Sequence, residues 1–406
     1  MAVVAIICDF EIGHLFPSLG LADELREDGH EIVFLIIKDM EGLVQDAGFS
    51  SVIIFSEFYP PGAIKEFDEL RQSGKSPKIK PHLISLLNGS LDHVFKKIKP
   101  DLLLIDYSLA FEALIIHYRY SINQVFFCTF LREENITPKV VCVGYFMNLE
   151  GDVPSAVLAF IQEKKRGVGL EKLDDILFPI DNMLEIILCP KEFEMPGKEY
   201  RDQRVCHIGP CIADIIKFDR SDFVIPNFKR NIFFTFGSQG SLYPEKFIKV
   251  INELFCLFRS ASFSDFHLTI ALGDVIKGEG FTNIPPNVTM KKWLHQNKII
   301  ELSSLVITHG GLGTIKESLY FGVPMIVIPM MRDQPGNALR IEQHNLGKSI
   351  EIDSLTARML EEAIFYVLTN EGIKNSVEKM KCVFREKEQQ KLGSQMINKQ
   401  LGFFSV

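Results

Sequence analysis

The 406-residue sequence has little excess charge of basic sign, a single tryptophan and no long run of apolar residues free of charge. Lys and Arg number 44 against 52 Asp and Glu, a net charge of −8. Neutralising a phosphate backbone needs basic surface, so nucleic acid is excluded as the main partner. The short basic run Lys164-Lys165-Arg166 reads as a solvated helix face. The apolar stretches near 101–131 are interrupted by Asp106, Glu112, His117 and Arg119, so none is read as a membrane span. "MAVVAIICDF" at the start lacks a basic leader and its apolar run is strand-length, so no signal peptide is expected. No Cys-x-x-Cys pair occurs among the eight cysteines, which are expected to be buried free thiols in a reducing cytoplasm. Asp-x-Asp, the usual metal clamp on a diphosphate, is absent as well. No metal or other cofactor is expected.

What is present is an apolar content of 47% with 24% charged residues, enough for an ordinary globular protein, and a length that favours two domains. Short apolar runs alternate with helical patterns throughout, which predicts α/β architecture with parallel sheets. The expected strands of the first half are 3–7, 32–37, 52–55, 102–105, 125–127 and 184–188. Those of the second half are 232–236, 268–271, 288–290, 305–308, 325–328 and 349–352. The first helix is expected over 17–28, opened by Pro17 and closed near Gly29. "GPCIADIIKFDRSDFVIPNFK", 209–229, lacks periodicity and reads as a linker. The expected organisation is an N-terminal domain at 1–210, a linker at 211–228, a C-terminal domain at 229–385 and a last helix at 386–406. Two doubly wound, Rossmann-like domains facing each other would bind ligands in a cleft, beyond the carboxyl ends of their strands.

The densest motif is "VITHGGLGTIKESLYFGVPMIVIPMMRDQPGNALRI", 306–341. His309 and three glycines, Gly310, Gly311 and Gly313, follow a strand, and Thr314 is expected to open a helix. Bare backbone before a helix start offers free N–H groups and partial positive charge to a phosphate. The run lacks the endings of a nucleoside-triphosphate loop and of a dinucleotide fingerprint, and alone it is also what tight packing looks like. Glu317, one turn on, suits the paired hydroxyls of a ribose. Asp333 and Gln334 follow the next strand, before a helix expected to run from Pro335 to Gly347; they suit sugar hydroxyls, or a plain N-cap. Trp293 ends an upstream strand, where it could stack on a flat base or fill the core. Together these describe a nucleotide-sugar.

"WLHQ…THGGLGTIKESLYFGVPMIVIPMMRDQPGNA" is similar to the donor signature of the nucleotide-sugar-dependent glycosyltransferases of the GT-B fold, which include plant secondary-product and bacterial macrolide enzymes. "FFTFGSQGS", 233–241, resembles their first C-domain strand, and "FEIGHLFPSLGLADELREDGHEIVFL" their first strand, loop and helix. The resemblance implies that Trp293 stacks on the base with Gln296 near the nucleoside. It gives His309, Ser238 and the Gly313–Thr314 turn to the diphosphate, Glu317 to the ribose, and Asp333 with Gln334 to the transferred sugar. His14, in the loop after the first strand, would be the general base. Asp106, at the end of "DLLLID", would fix its tautomer. The last helix would cross back to the first domain.

Two departures stand out. His295 occupies a position where the family usually has proline, and Gly-Leu-Gly replaces the plant Trp-Asn pair, so plant rules for sugar preference do not transfer. The expected activity is inverting, metal-independent transfer from a UDP- or dTDP-sugar to a hydroxyl of a small lipophilic acceptor. Segments 56–90 and 140–180, with their Phe, Tyr, Leu and Met, would receive that acceptor, although core packing explains many of these aromatics equally well. An epimerase of the same architecture would need no acceptor and would leave those segments polar. A noncatalytic nucleotide-sugar-binding protein would not need His14 and Asp106. A dehydrogenase is disfavoured, because the loop "DFEIGHLFP" has no glycine fingerprint.

Overall fold

A computed structural model of the chain describes residues 1–73, 80–133, 135–148, 153–164, 172–198, 202–212, 230–273 and 281–403. Most of the expected linker lies outside these residues, as do 74–79, 149–152 and 165–171 of the two expected acceptor segments. The chain divides into two compact units. One comprises 1–188, 199–213 and 391–406; the other comprises 189–198 and 214–390.

The first unit holds seven strands: β1 Val3–Ile7, β2 Glu31–Ile36, β3 Ser50–Ile53, β4 Leu102–Asp106, β5 Gln124–Cys128, β6 Glu185–Ile187 and β7 Val205–His207. They pair in the order β3-β2-β1-β4-β5-β6-β7, every pair parallel. β4 and β5 are buried at every position, so both faces of the sheet are covered. A strand buried on both sides needs apolar residues without alternation, which is why "LLLID" and "QVFFC" read as runs. The chain winds outward from β1 to β3, then returns to place β4 on the other side of β1. The carboxyl ends of β1 and β4 therefore flank the point where the winding reverses.

The second unit repeats the scheme with β8 Arg230–Thr235, β9 Phe266–Ala271, β10 Val288–Lys291, β11 Leu305–Thr308, β12 Met325–Val327 and β13 Gly347–Ser349. The order is β10-β9-β8-β11-β12-β13, again all parallel, with the reversal between β8 and β11. Phenylalanine dominates its core: Phe234 stacks on Phe247 of helix Pro244–Phe258 at 5.2 Å between ring centres, and Phe236 meets the same ring at 5.1 Å.

Several boundaries differ from the sequence expectation. The first helix runs Ile12–Glu27, five residues earlier than Pro17 suggested. Its opening turn is made by the Glu11 carbonyl, which accepts from the N–H groups of His14 and Leu15. Pro17 sits inside, where it gives up the N–H bond to the Gly13 carbonyl and its ring crowds that same carbonyl; the flanking residues Leu15, Ser18, Leu19 and Leu21 are buried and offset the cost. His14 is thus in a first helical turn, not a loop. The helix expected to stop at Gly347 ends instead at Gln343, with Asn345 taking the left-handed turn at φ +54°. Gly347 opens β13, where a Cβ would collide with the Met325 carbonyl. Cys256 and Cys382 are exposed free thiols, against the expectation that all eight are buried.

The C-terminal region is helical. Thr356 caps helix Ala357–Thr369 by accepting from the Met359 N–H. Helix Glu371–Gln390 ends at Lys391, whose φ of +48° turns the chain into helix Leu392–Gln400. That last helix packs on Ile12–Glu27 within the first unit, where Gly393 meets Leu21 and Ile208 and Asn398 bonds His30 at 2.7 Å. Gly20 is a second close approach, since a Cβ there would strike the Cys211 backbone carbonyl. Helix propensity alone would reward Gly20→Ala by up to ~1 kcal/mol. The collision reverses the sign, and a net loss of about 1–3 kcal/mol is expected by urea denaturation.

Candidate functional site

The expected site residues stand at the end of β4 and in the loops and helices that follow β1, β8, β10, β11 and β12. In the first unit, Asp106 closes β4 and is fully buried. His14 Nδ1 lies 2.8 Å from Asp106 Oδ2. The other carboxylate oxygen accepts from the Ser108 N–H at 2.9 Å and the Ser108 hydroxyl at 2.7 Å. Burial alone would raise the Asp106 carboxyl, but the imidazole and the two Ser108 donors hold it below the ordinary carboxylate value. Burial likewise disfavours a charged imidazole. Three carboxylates, Asp106 first and then Asp9 and Glu11, overcome it and raise His14 to about 10. The carboxylates thus favour the protonated ring, and the contact with Asp106 suits Nδ1–H as the donor.

In the second unit, β11 leads into helix Leu312–Phe321 through Gly310 at φ +91°. A Cβ at Gly310 would press on Val327 at 2.7 Å, one at Gly311 on the His309 ring at 2.8 Å, and one at Gly237 on the same ring at 3.2 Å. The imidazole is clasped between two glycine backbones, one after β8 and one after β11. Burial lowers His309 to about 4, so it is neutral near pH 7 and can offer an N–H without a full charge. The helix begins at Leu312, two residues before the expected Thr314, with Gly311 as an N-cap that has no side chain to satisfy the first amides. A Cβ on Gly313 would meet nothing within 4 Å.

Gln296, Thr314 and Glu317 come together: the Gln296 amide donates to the Thr314 hydroxyl at 3.2 Å and to the Glu317 carboxylate. Burial pushes Glu317 up to about 7, with Gln296 and Lys316 pulling the other way. Trp293 stands 52% exposed, an open aromatic face, and Ser238 is exposed in the turn Gly237–Leu242. His295 caps helix Gln296–Glu301 by accepting from the Lys298 N–H at 3.2 Å, which explains how the chain manages without a proline there.

Gln334 is 1% exposed, and its side-chain oxygen accepts from the N–H groups of Met330 and Met331 at 2.9 and 3.1 Å. It clamps its own loop. Asp333 precedes the helix but makes no side-chain cap; its carboxylate accepts from Asn337 at 2.9 Å. Asn337 also donates to the Gly310 carbonyl at 2.9 Å, tying the Asp333 loop to the glycine loop. Sequence reasoning passed over Asn337, although its place four residues after Asp333 on one helix put the two side chains in reach. Ser108, Asp9 and Glu11 were passed over too; for Ser108 the Asp-x-Ser spacing was the available signal. Among the described residues no group of His, Cys, Asp and Glu could hold a metal ion, and no helix is long and apolar enough to cross a membrane.

Residues 231–396 match the family model described as glycosyltransferase family 28 C-terminal domain. The chain is a glycosyltransferase. It is 24% identical over 384 residues to the NDP-glycosyltransferase YjiC of Bacillus subtilis, covering 92% of this chain and 91% of that protein. In fold, the glycosyltransferase resembles the crystallised glycotransferase of kitacinnamycin, with a TM-score of 0.74 and 22% identity over 98% of each chain. CalG4, the calicheamicin glycosyltransferase, matches over 100% of both chains with a TM-score of 0.71 and 18% identity. The two parallel sheets with flanking helices are those of the GT-B glycosyltransferases.

Proposed function

We propose that the enzyme moves a sugar from a UDP- or dTDP-sugar to a hydroxyl of a small lipophilic, natural-product-like acceptor, with inversion and without a metal. The observation that carries the proposal is the 2.8 Å bond between His14 and Asp106 at the reversal point of the first sheet. With Nδ1 held by Asp106, deprotonated His14 takes the acceptor proton on Nε2. The acceptor oxygen attacks the anomeric carbon on the face opposite the diphosphate. The bond from that carbon to the phosphate oxygen breaks, and the nucleoside diphosphate leaves with the electron pair. Its new charge is met by the uncapped amides at Leu312, Gly313 and Thr314 and by the neutral N–H of His309. Trp293, Gln296 and Glu317 take the nucleoside, Ser238 the phosphates, and Asp333 the sugar, with Gln334 holding the loop.

Within the expected 140–180 acceptor segment, a cavity of about 270 Å³ is lined by Phe146, Pro154, Leu158, Leu173 and Ile176 together with Gln162 and Lys172, a mainly apolar wall with two polar groups that suits a lipophilic molecule carrying hydroxyls. The names of the structural relatives, directed to kitacinnamycin and calicheamicin, support the same class. Eight free cysteines support a reducing, cytoplasmic setting.

The test supplies UDP-glucose or dTDP-glucose with and without a panel of phenols, polyketides and lipid alcohols. Nucleoside diphosphate should appear only when an acceptor is present. Release without one would point to hydrolysis or epimerisation, and binding without release to a noncatalytic role. Gly313→Ala separates stability from ligand grip: its Cβ enters open space, so the fold should hold or gain up to ~1 kcal/mol. The added methyl obstructs the phosphate seat, and UDP or dTDP affinity by calorimetry should fall by about tenfold, worth ~1.4 kcal/mol.

A further inference from the structure

The first unit contains a buried polar chain that the transfer step does not use. The Lys80 ammonium lies 2.8 and 2.7 Å from the two carboxylate oxygens of Glu112. Glu112 also meets His82 Nε2 at 3.0 Å, and His82 Nδ1 meets the Tyr59 hydroxyl at 2.6 Å. Tyr59, His82 and Glu112 are each at most 3% exposed. Lys80 holds its place with a backbone φ of +51°, a left-handed geometry that a non-glycine residue adopts at a cost, and its ammonium sits 4.4 Å from the Tyr145 ring centre. A buried ion pair often gives no more stability than apolar residues of the same volume, so the geometry it imposes on its neighbours is the feature to follow.

One contact shows where that geometry leads. Lys80 Nζ also donates to the backbone carbonyl of Ser108 at 3.2 Å. Ser108 is the residue whose N–H and hydroxyl both hold Asp106 Oδ1, while Asp106 Oδ2 takes His14. The sequence of contacts runs without a break from Tyr59 and His82 through Glu112, Lys80 and Ser108 to the catalytic pair. Its far end lies in the 56–90 segment, and Tyr145 belongs to the 140–180 segment.

We propose that Ser108 and Lys80 are positioning residues of this transferase: Lys80 fixes the Ser108 peptide, and Ser108 aims the Asp106 carboxylate at His14. The inference rests on the role given to His14 above. It assigns the buried Tyr59–His82–Glu112 group as the anchor that keeps the Lys80 ammonium in place. A carboxylate free to rotate by one hydroxyl's worth of support would let the imidazole drift from the acceptor oxygen, and misplacement of about 1 Å costs ~10²-fold in rate.

The variants are Ser108→Ala, Ser108→Thr and Lys80→Met, each alone and in the His14→Ala background. They are assayed with UDP-glucose and a hydroxyflavone, or with the pair found active in the screen. Ser108→Ala and Lys80→Met should each lower kcat on the order of tenfold with the donor KM unchanged. Ser108→Thr, which keeps the hydroxyl, should restore most of the rate. In the His14→Ala background neither variant should slow the residual reaction further. In parallel, NMR of ¹⁵N-histidine-labelled protein should show the Nδ1–H resonance of His14 moved upfield or broadened in Ser108→Ala and Lys80→Met, and retained in Ser108→Thr.

An unchanged kcat with an unmoved resonance overturns the inference. So does an equal loss with and without His14, which would mark a merely structural role. If His14→Ala itself transfers sugar at the full rate, the proposed chemistry fails, while the resonance comparison still decides whether Ser108 and Lys80 hold the pair.

Discussion

His14→Ala should slow sugar transfer by about 10²–10⁴-fold, the span general-base assistance typically supplies. Binding of UDP or dTDP should not change, because the residues assigned to the donor belong to the second unit and His14 to the first. The same assignment dictates a pH profile. Burial works against a charged imidazole, but Asp106, Asp9 and Glu11 together raise His14 to about 10. A base must be deprotonated to accept a proton, so the wild-type rate should climb from neutral pH toward pH 10. A rate that rises through a midpoint near 6.5, the ordinary histidine value, and stays level above it would deny the three carboxylates their effect. Single-turnover rates across that range, paired with donor titrations, provide the check. Full-rate transfer by His14→Ala would remove the imidazole from the chemistry altogether.

Glu185→Gln should lower stability by about 3–5 kcal/mol. Glu185 opens β6, and its two carboxylate oxygens pair with Arg132 Nε at 2.6 Å and Nη2 at 2.7 Å. The side chains are 4% and 3% exposed. Glutamine keeps the shape but not the charge, so a buried guanidinium loses its paired carboxylate and keeps neutral partners such as the Glu133 carbonyl at 3.1 Å. The loss comes from a buried charge without its counter-charge rather than from the pair itself, so Arg132→Met combined with Glu185→Leu should recover most of it. Urea denaturation of the two single variants and the double variant separates these. A double variant as unstable as Glu185→Gln would show instead that the pair itself is the stabilising element.

How much of this was legible in the sequence depends on which physical signal each feature leaves. Strands buried on both faces, such as "VVAII" and "LLLID", announce themselves as unbroken apolar runs, and β1 and β11 fall on their expected residues. β7 has three residues, Val-Cys-His, too few for any period to show. Pro17 misled because proline prefers a first turn, yet an interior position is held when the residues around it are buried, as Leu15, Ser18, Leu19 and Leu21 are. Among the candidate residues, the positions of Asp106 and His309 at strand ends were legible because each closes an apolar run, and His14 and Glu317 stand in the helices that follow such runs. Their partners were not. Ser108 under Asp106, Asn337 between two loops and Lys80 behind Ser108 owe their roles to folded geometry, and no local pattern marks a lysine 26 residues before the aspartate it supports. Gln334 shows the converse: a motif residue whose carboxamide oxygen the loop has taken for itself.

The first unit is assembled from three separate stretches of chain, and the last of them, 391–406, lays a helix on the one that begins at Ile12. During synthesis the opening 188 residues can collapse early, but Leu21 and Ile208 have no lid until the ribosome has passed Gly393. The nascent enzyme must carry an unfinished seam through the whole translation of its other half. A stop codon near position 390 would leave that seam open for good, and a chaperone or a protease would meet it first.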